Sequence, residues 1–393
     1  MAVNHRVPAP RWKREAELIS GRGAGLRRHA GRELPVDKVM LATVLGITLF
    51  GGVMVYSASA ILAEKNYGSQ YYFLQRQGMW ALVGLAAMAV AMCIDYRHYK
   101  RPKVIFLLLG VTLALLVVVM LLPRVNETHR WIRYGRYFSL QPSEVAKLAL
   151  VAFLGFFLEK RAREIDSFKR VFLPAAMVAG ALVVLVAAEP DLGTSLALGV
   201  VFITIMFQAG TPVRYFALLA VPVIPAMVFM LLVPWRFARL LAFLDPWKYQ
   251  TTWGFQPVQS MIAIGSGGAG GVGFAQGRQK LFYLPAPHTD FIFAVIGEEL
   301  GLIGAATLVF LFALLAWRGL RAGRSAPDLF GQLLAVGLTT MIIAQAFFNI
   351  SVTLSLVPTK GIPLPFVSAG GSSLAISLFA AGVLLNVSKH GKT

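Results

Sequence analysis

The feature that governs what this chain can fold into is a succession of ten apolar stretches, each close to the roughly 20 residues that carry an α-helix across a bilayer's hydrocarbon. They fall at about 39–58, 77–95, 104–122, 143–158, 170–188, 192–209, 214–233, 291–316, 329–350 and 366–386. Hydrophobic residues make up 57% of the 393 positions and charged residues 14%, and the mean hydropathy is +0.68, outside the range of soluble domains. A transmembrane barrel needs alternating segments of about ten residues, whereas these runs are continuous and rich in Leu, Val and Ala. Helices satisfy their own backbone groups in lipid, so the sequence predicts an all-α integral membrane protein of ten transmembrane helices. One large loop, 234–290, separates the seventh from the eighth. The membrane domain spans 39–388, behind a basic tail, 1–38, expected to be mobile. The tail lacks a compact charged region and a small-residue cleavage site, so a removed signal peptide is not expected.

A formal net charge of +19 would suit a nucleic-acid partner, but its placement argues against one. Of 37 Lys and Arg, 24 lie in the N-terminal tail, the even-numbered loops and the C-terminus, and 12 in the odd-numbered loops. That asymmetry orients a membrane protein with both termini in the cytoplasm. The one cysteine, Cys93, has no partner for a disulfide or a CxxC metal site, and is expected as a small core residue.

With this topology, every polar-rich segment falls on the extracytoplasmic side: 123–142, "EPDLG" at 189–193, 234–290 and 353–365. Arg124, Arg130, Arg133 and Arg136 crowd an external loop that should be poor in such charges. Either they snorkel to lipid phosphates or they meet an anionic ligand; Arg130, beside Trp131, is the leading candidate, and Arg76 is a further one for the same cavity. Lys147 lies one turn inside the fourth span with Glu144 on the same helical face. A charge deep in a membrane helix costs roughly 2.5 to 3.5 kcal/mol on insertion scales, so Lys147 either pairs with Glu144 or contacts a ligand. Asp191 either caps the sixth span or faces the same ligand.

The run "GSGGAGGVG", 265–273, contains a literal GxGxxG with Asp290 downstream, yet neither a strand nor a βαβ unit surrounds it, so a dinucleotide site is rejected. The mixture of Trp, Phe and Arg that precedes it predicts an interfacial, partly re-entrant segment roofing a cavity. In "PTKGIPLPFVSAGGSS", 358–373, prolines and glycines break the backbone beside Lys360. Broken backbone at membrane depth is tolerated only where it lines a cavity.

Outside the cell there is no ATP, so a reaction there needs a substrate that carries its own leaving group; a lipid-linked pyrophosphate sugar fits. Such a transfer needs one base for the attacking hydroxyl and positive charge for the departing pyrophosphate. Asp290 is the candidate base, with its pKa raised by partial burial, and Arg130 and Lys147 are the candidate leaving-group cations. The competing role for Asp290 is an N-cap of the eighth helix. His288 would orient the acid, and Glu298 and Glu299 are expected to pair within the bundle.

The segments "GRQKLFYLPAPHTDFIFAVIGEELGLIG", "RWIRYGRYFSLQPSEVAKLAL", "EPDLGTS" and "PTKGIPLPFVSAGGSS" together resemble the SEDS family of cell-wall polymerases over about residues 40–388. The resemblance implies a ten-helix peptidoglycan glycosyltransferase that polymerises lipid II in the bacterial cytoplasmic membrane. It also implies a class B penicillin-binding protein as partner, with other divisome membrane proteins and membrane lipids around it. The family's catalytic aspartate falls on Asp290, and its functional Arg, Lys and turn Asp fall on Arg130, Lys147 and Asp191. "PTKG" and the basic tail resemble the division branch rather than the elongation branch. Three positions depart from the pattern: Ala286 stands where an acid is common, Ala369 where a Tyr is usual, and the basic residue before "QPSE" is missing, with Arg133 or Arg136 as substitutes. A divalent cation, Mg or Mn, stays open, because no tight ligand cluster is visible. Two other readings remain: a transporter that flips lipid II, for which Lys147, Glu144 and the broken last span speak, and a scaffold that only recruits the transpeptidase.

Overall fold

The computed structural model describes residues 35–123, 130–135, 138–281 and 283–391. The tail up to residue 34, Arg124 and Arg136 lie outside the described residues. Twelve α-helices are described: α1 (Lys38–Tyr67), α2 (Tyr72–Cys93), α3 (Pro102–Leu121), α4 (Pro142–Lys160), α5 (Leu173–Ala188), α6 (Leu192–Gln208), α7 (Val213–Leu231), α8 (Pro234–Leu244), α9 (Phe255–Gly267), α10 (Ile292–Ser325), α11 (Leu329–Thr353) and α12 (Ser372–Lys389). A single π-helical turn, Phe168–Phe172, leads into α5.

Eight of the helices are long and apolar enough to cross a membrane, counting α5 with its π turn. The two predicted spans outside that set fail for physical reasons. The sixth, α6, is apolar but has only 17 residues. The fourth, α4, carries Glu144, Lys147, Glu159 and Lys160, and it can afford them because it is an inner helix, with Glu144 and Lys147 each about 1% exposed. Ends moved most where apolarity was a poor guide to backbone. The first helix runs on through polar "AEKNY" to Tyr67, and the last starts at Ser372 rather than 366 because residues 362–371 are irregular.

Burial sorts the helices into an inside and an outside. Over their apolar windows α11 and α12 are 67% and 72% buried, whereas α7, which contains Pro222 and Pro225, is only 6% buried. The centre of the bundle is therefore α11, α12 and α4, with α2 lying along α12 and α10 along α11. Two expectations are corrected. The chain is not purely helical, because Ile132–Tyr134 pairs antiparallel with Phe138–Leu140, Ile132 opposite Leu140. Alternating β-branched and aromatic residues favour this hairpin. Cys93 is an exposed residue at the end of α2, not a core residue.

The glycine run rejected as a nucleotide site has a structural role. Helix α10 breaks at Gly301 (φ 63°, ψ −162°), which frees backbone groups on both sides of the break. The run supplies their partners main chain to main chain: Val272 N donates to Glu298 O (3.0 Å), Gly273 N to Glu299 O (3.1 Å), and Leu302 N to Gly268 O (2.9 Å). Side chains would hold the two backbones apart; a Cβ on Gly271, whose φ is +82°, would strike the Glu299 carbonyl. Gly271→Val is therefore expected to destabilise the protein by about 2–3 kcal/mol, from backbone strain plus lost pairing. Thermal unfolding in nanodiscs reads this out, and an unchanged melting temperature would contradict the clamp.

The two glutamates of the same stretch hold the loop beneath it. Glu299 accepts from Lys280 Nζ (2.6 Å), Ser57 Oγ (2.6 Å) and Ala275 N (3.0 Å), and Glu298 accepts from Arg278 N (2.7 Å) and Gln279 N (3.2 Å). Both carboxylates are buried and tie α10 to α1 and to the loop that leads to Asp290.

Candidate active site

Six separate segments converge on one cavity of about 250 Å³, lined among others by Arg130, Asp191, Trp235, Arg236, Arg239, Gln256, Asp290, Thr359, Lys360 and Gly361. Most of them arrive by a local device. Arg130, just before the hairpin, donates from Nε to Glu189 O (3.2 Å) and from Nη2 to Pro190 O, so the "EPD" turn grips its guanidinium through backbone carbonyls. Asp191 caps α6: its Oδ1 accepts from Thr194 N (3.1 Å), and its Oδ2 accepts from Thr194 Oγ1 (2.9 Å) and Gln141 Nε2 (3.0 Å). It is thus both a helix cap and a wall of the cavity. Helix α8 contributes Arg236 and Arg239, whose guanidiniums lie 4.8 and 5.1 Å from the Trp235 ring centroid.

Asp290 is held by its backbone, which leaves its carboxyl for the cavity. Asn349 Nδ2, on α11, donates to both Asp290 O (2.8 Å) and Ile362 O (2.7 Å), so one amide joins the acid's turn to the Lys360 loop. At the same turn Ser368 Oγ donates to Thr289 O (2.6 Å) and Ala369 N to His288 O (3.0 Å). The capping alternative for Asp290 is not realised, since α10 starts behind Phe291 with no side-chain cap bond.

The electrostatics favour a base beside an anion site. Desolvation raises the Asp290 carboxyl to about 6; Arg130 opposes this and Asp191 adds to it. Desolvation, reinforced by Asp191 and opposed by Arg130, lifts Glu189 to about 8, so at neutral pH this fully buried acid is protonated and adds no negative charge. Burial lowers Lys360, with Asp191 partly restoring it, and burial plus Arg130 lowers Arg236 and Arg239. Among the described lining residues, four cations thus face two carboxylates. Such a surplus suits a pyrophosphate, which Arg binds in a forked geometry and Lys as a point charge.

The other sequence-predicted residues sit elsewhere. Lys147 Nζ bonds Glu144 Oε1 (2.9 Å) and Gln345 Oε1, and Gln345 Nε2 passes the connection on to Pro363 O (3.0 Å) and Ser373 Oγ (3.3 Å). Lys147 and Glu144 therefore brace the floor behind the Lys360 loop rather than line the cavity. Arg76 Nη2 donates to Ser139 Oγ (2.6 Å) of the hairpin, and Arg133 is exposed on that hairpin. His288 is buried with its ring 4.1 Å from Phe73, and desolvation, then Arg76, depresses it to about 4, so it is neutral at physiological pH. Sequence reasoning missed Arg236, Arg239, Gln256 and Asn349. The first two lie on α8, inside the aromatic and basic loop, and a lone Asn in the apolar run of α11 was the signal for the last.

The donor set does not assemble a metal site. Both Asp191 oxygens are engaged by Thr194 and Gln141, and no cluster of three His, Cys, Asp or Glu able to hold a metal occurs among the described residues. Gly361 shapes the space that remains: a Cβ there would sit 2.9 Å from Asp290 Oδ2 and 4.0 Å from Arg130 Nη1. Gly361→Ala is expected to lower turnover about 100-fold by displacing whatever lies between acid and guanidinium, with little change in melting temperature. Wild-type turnover in that variant would mean the reacting groups lie elsewhere.

Comparison with known proteins follows the same lines. A family model described as "Cell cycle protein", FtsW, RodA and SpoVE, matches residues 37–393. A probable peptidoglycan glycosyltransferase FtsW of Geobacter metallireducens is 44% identical over 361 residues, covering 91% of this chain and 95% of that protein. Stage V sporulation protein E of Bacillus subtilis is 42% identical over 361 residues, covering 91% and 98%. A solved chain described under "Structural coordination of polymerization and crosslinking by a peptidoglycan synthase complex" superposes with a TM-score of 0.75 at 28% identity, covering 90% of this chain and 98% of that one. The rod shape determining protein RodA of Thermus thermophilus superposes at 0.66 with 26% identity, covering 92% and 99%. On the family match over residues 37–393 and these identities, the chain belongs to the FtsW, RodA and SpoVE family.

Proposed function

We propose that this chain is a peptidoglycan glycosyltransferase of the division type, polymerising lipid II on the outer face of the cytoplasmic membrane, at the septum. The observation that carries the reading is the cavity that sets one carboxyl of raised pKa, Asp290, among Arg130, Arg236, Arg239 and Lys360. In this reading Asp290 takes the proton from the attacking sugar hydroxyl as the new glycosidic bond forms, and the cations receive the charge of the polyprenyl pyrophosphate as its bond to the anomeric carbon breaks. Asp191 fixes the turn that holds Arg130, and Asn349 fixes the acid relative to Lys360. The Arg residues suit the pyrophosphate without a metal, so no step is assigned to Mg or Mn.

The same reading takes all ten apolar helices as spans, α4 and α6 included, with both termini cytoplasmic and loop 234–290 outside. An inner helix need not be apolar enough to face lipid, which is why α4 fits despite its charges. The 1–38 tail is a separate basic segment, and 39–388 is the catalytic domain. A class B penicillin-binding protein is the expected partner, consistent with the peptidoglycan synthase complex among the structural relatives.

The transport reading loses part of its support, because Lys147 is paired inside the bundle with Glu144 and Gln345. Purified protein with its transpeptidase partner, given labelled lipid II, is expected to form glycan strands. Leaflet exchange of fluorescent lipid II without strands would favour a transporter, and neither activity would leave a scaffold. For topology, Thr359→Cys in a Cys93→Ser background is expected to react with an impermeant maleimide added from outside; Cys93 must go first because it is exposed. Labelling only from inside would overturn the orientation.

A further inference from the structure

A second cleft lies at the far end of α1, where Ala60, Ile61, Glu64, Lys65 and Gln70 line about 540 Å³. Its volume is within the roughly 300–1,000 Å³ of ligand sites. Two stacked tyrosine pairs neighbour it along the chain, and ring contacts lead from one of them to His288. Tyr56 Oη donates to Gln70 Oε1 (3.3 Å), and the Tyr56 ring stacks on Tyr71, with centroids 5.8 Å apart and planes 12° from parallel. Beside them Tyr67 stacks on Tyr72 at 3.9 Å and 11°, and Tyr72 meets Phe73 edge-on at 5.1 Å. Phe73 in turn meets the ring of His288, with centroids 4.1 Å apart and planes tilted by 42°, two residues before Asp290. Tyr67 and Tyr71 stay 45% and 47% exposed, so ring surface remains available outside these pairs.

From this juxtaposition we infer that the cleft and its tyrosines form a saccharide-binding shelf that holds pyranose rings of the glycan strand on the side of Asp290 away from the pyrophosphate cavity. The inference rests on the polymerase reading. A pyranose offers one apolar C–H face and a rim of hydroxyls. Flat exposed tyrosine rings match the face, and Glu64 with Gln70 supply an acceptor and an amide at the rim. Tyrosines that only anchor a protein at the membrane interface would lie with their bodies in lipid. Here Tyr67 and Tyr71 each stack on another tyrosine, and the cleft next to them in the chain carries Glu64, Lys65 and Gln70 beside Ala60 and Ile61. A strand held there stays next to the reacting centre between additions, so the shelf's consequence is strand length.

The test uses the full chain with its transpeptidase partner in nanodiscs, and as probe an un-cross-linked oligosaccharide of alternating N-acetylglucosamine and N-acetylmuramic acid, eight sugars long, without lipid or pyrophosphate. Wild type is expected to bind it. Tyr67→Ala/Tyr71→Ala is expected to weaken binding at least tenfold and shorten the strands made from lipid II several-fold. Tyr67→Phe/Tyr71→Phe, which keeps the ring faces, should restore both. Asp290→Asn should bind the oligosaccharide within twofold of wild type while making no strands. Absence of oligosaccharide binding in a wild type that does polymerise, or binding indifferent to loss of the tyrosine rings, overturns the shelf and leaves the polymerase reading standing. If the Ala pair instead releases the transpeptidase or alters only lipid affinity, the surface is a protein or membrane contact and the shelf is wrong. A wild type that binds the sugar through these rings but never polymerises lipid II would overturn the function proposed above and leave the saccharide site in place.

Discussion

Asp290→Asn is expected to lower kcat/KM for glycan polymerisation by about 100- to 10,000-fold, the range spanned by loss of a positioned general base. The substitution keeps the shape of the side chain, and the fold should survive it because the acid's turn is held through its backbone, by Asn349 and Ser368, and not by the carboxyl. The wild-type pH profile carries the second half of the prediction. A base must be ionised to act, and desolvation places this group near 6 rather than near the usual value of 3.8. Activity should therefore fall as pH drops through about 6, whereas an unshifted aspartate would keep the rate until about 4. Raising the pKa also makes the carboxylate a better proton acceptor near working pH. An acid limb near 4, or strand growth at the wild-type rate in the Asn variant, would remove Asp290 from the chemistry.

Lys147→Ala carries the largest expected effect on stability. The ammonium is buried among Glu144 and Gln345, so deleting it leaves an uncompensated carboxylate inside the bundle, an error that costs about 3–5 kcal/mol. The double variant Glu144→Leu/Lys147→Met removes both charges while keeping comparable volume, and should recover most of the lost stability. Activity then separates bracing from ligand contact. If Lys147 acts only by bracing the floor of the Lys360 loop through Gln345, the double variant recovers activity along with its melting temperature. Wild-type stability with no strand formation would instead assign Lys147 a direct place at the pyrophosphate.

The cationic wall has its own logic. Arg130, Arg236 and Arg239 come from different parts of the chain, the 123–142 loop and α8, and only Arg130 stood out by its neighbours in the sequence. The two on α8 lie within a loop whose aromatic and basic mixture predicts an interfacial roof, and there they line part of the candidate cavity.

How much could be read without coordinates follows from the range of each signal. Membrane helices announce themselves locally, because each must satisfy its own backbone in lipid and expose apolar side chains, so the eight helices long and apolar enough to cross a membrane were legible one at a time. Asp290, Arg130, Asp191 and Lys360, which line one cavity, were legible too, as polar residues in the connections of an apolar chain. What the local signal could not decide was partnership. The helix break at Gly301 needs the backbone of 268–273, the turn at Asp290 needs Asn349 from α11, and Lys147 finds Gln345 almost 200 residues away. Which buried polar group meets which is set by how helices pack, and packing depends on shape across the whole bundle rather than on spacing along the chain.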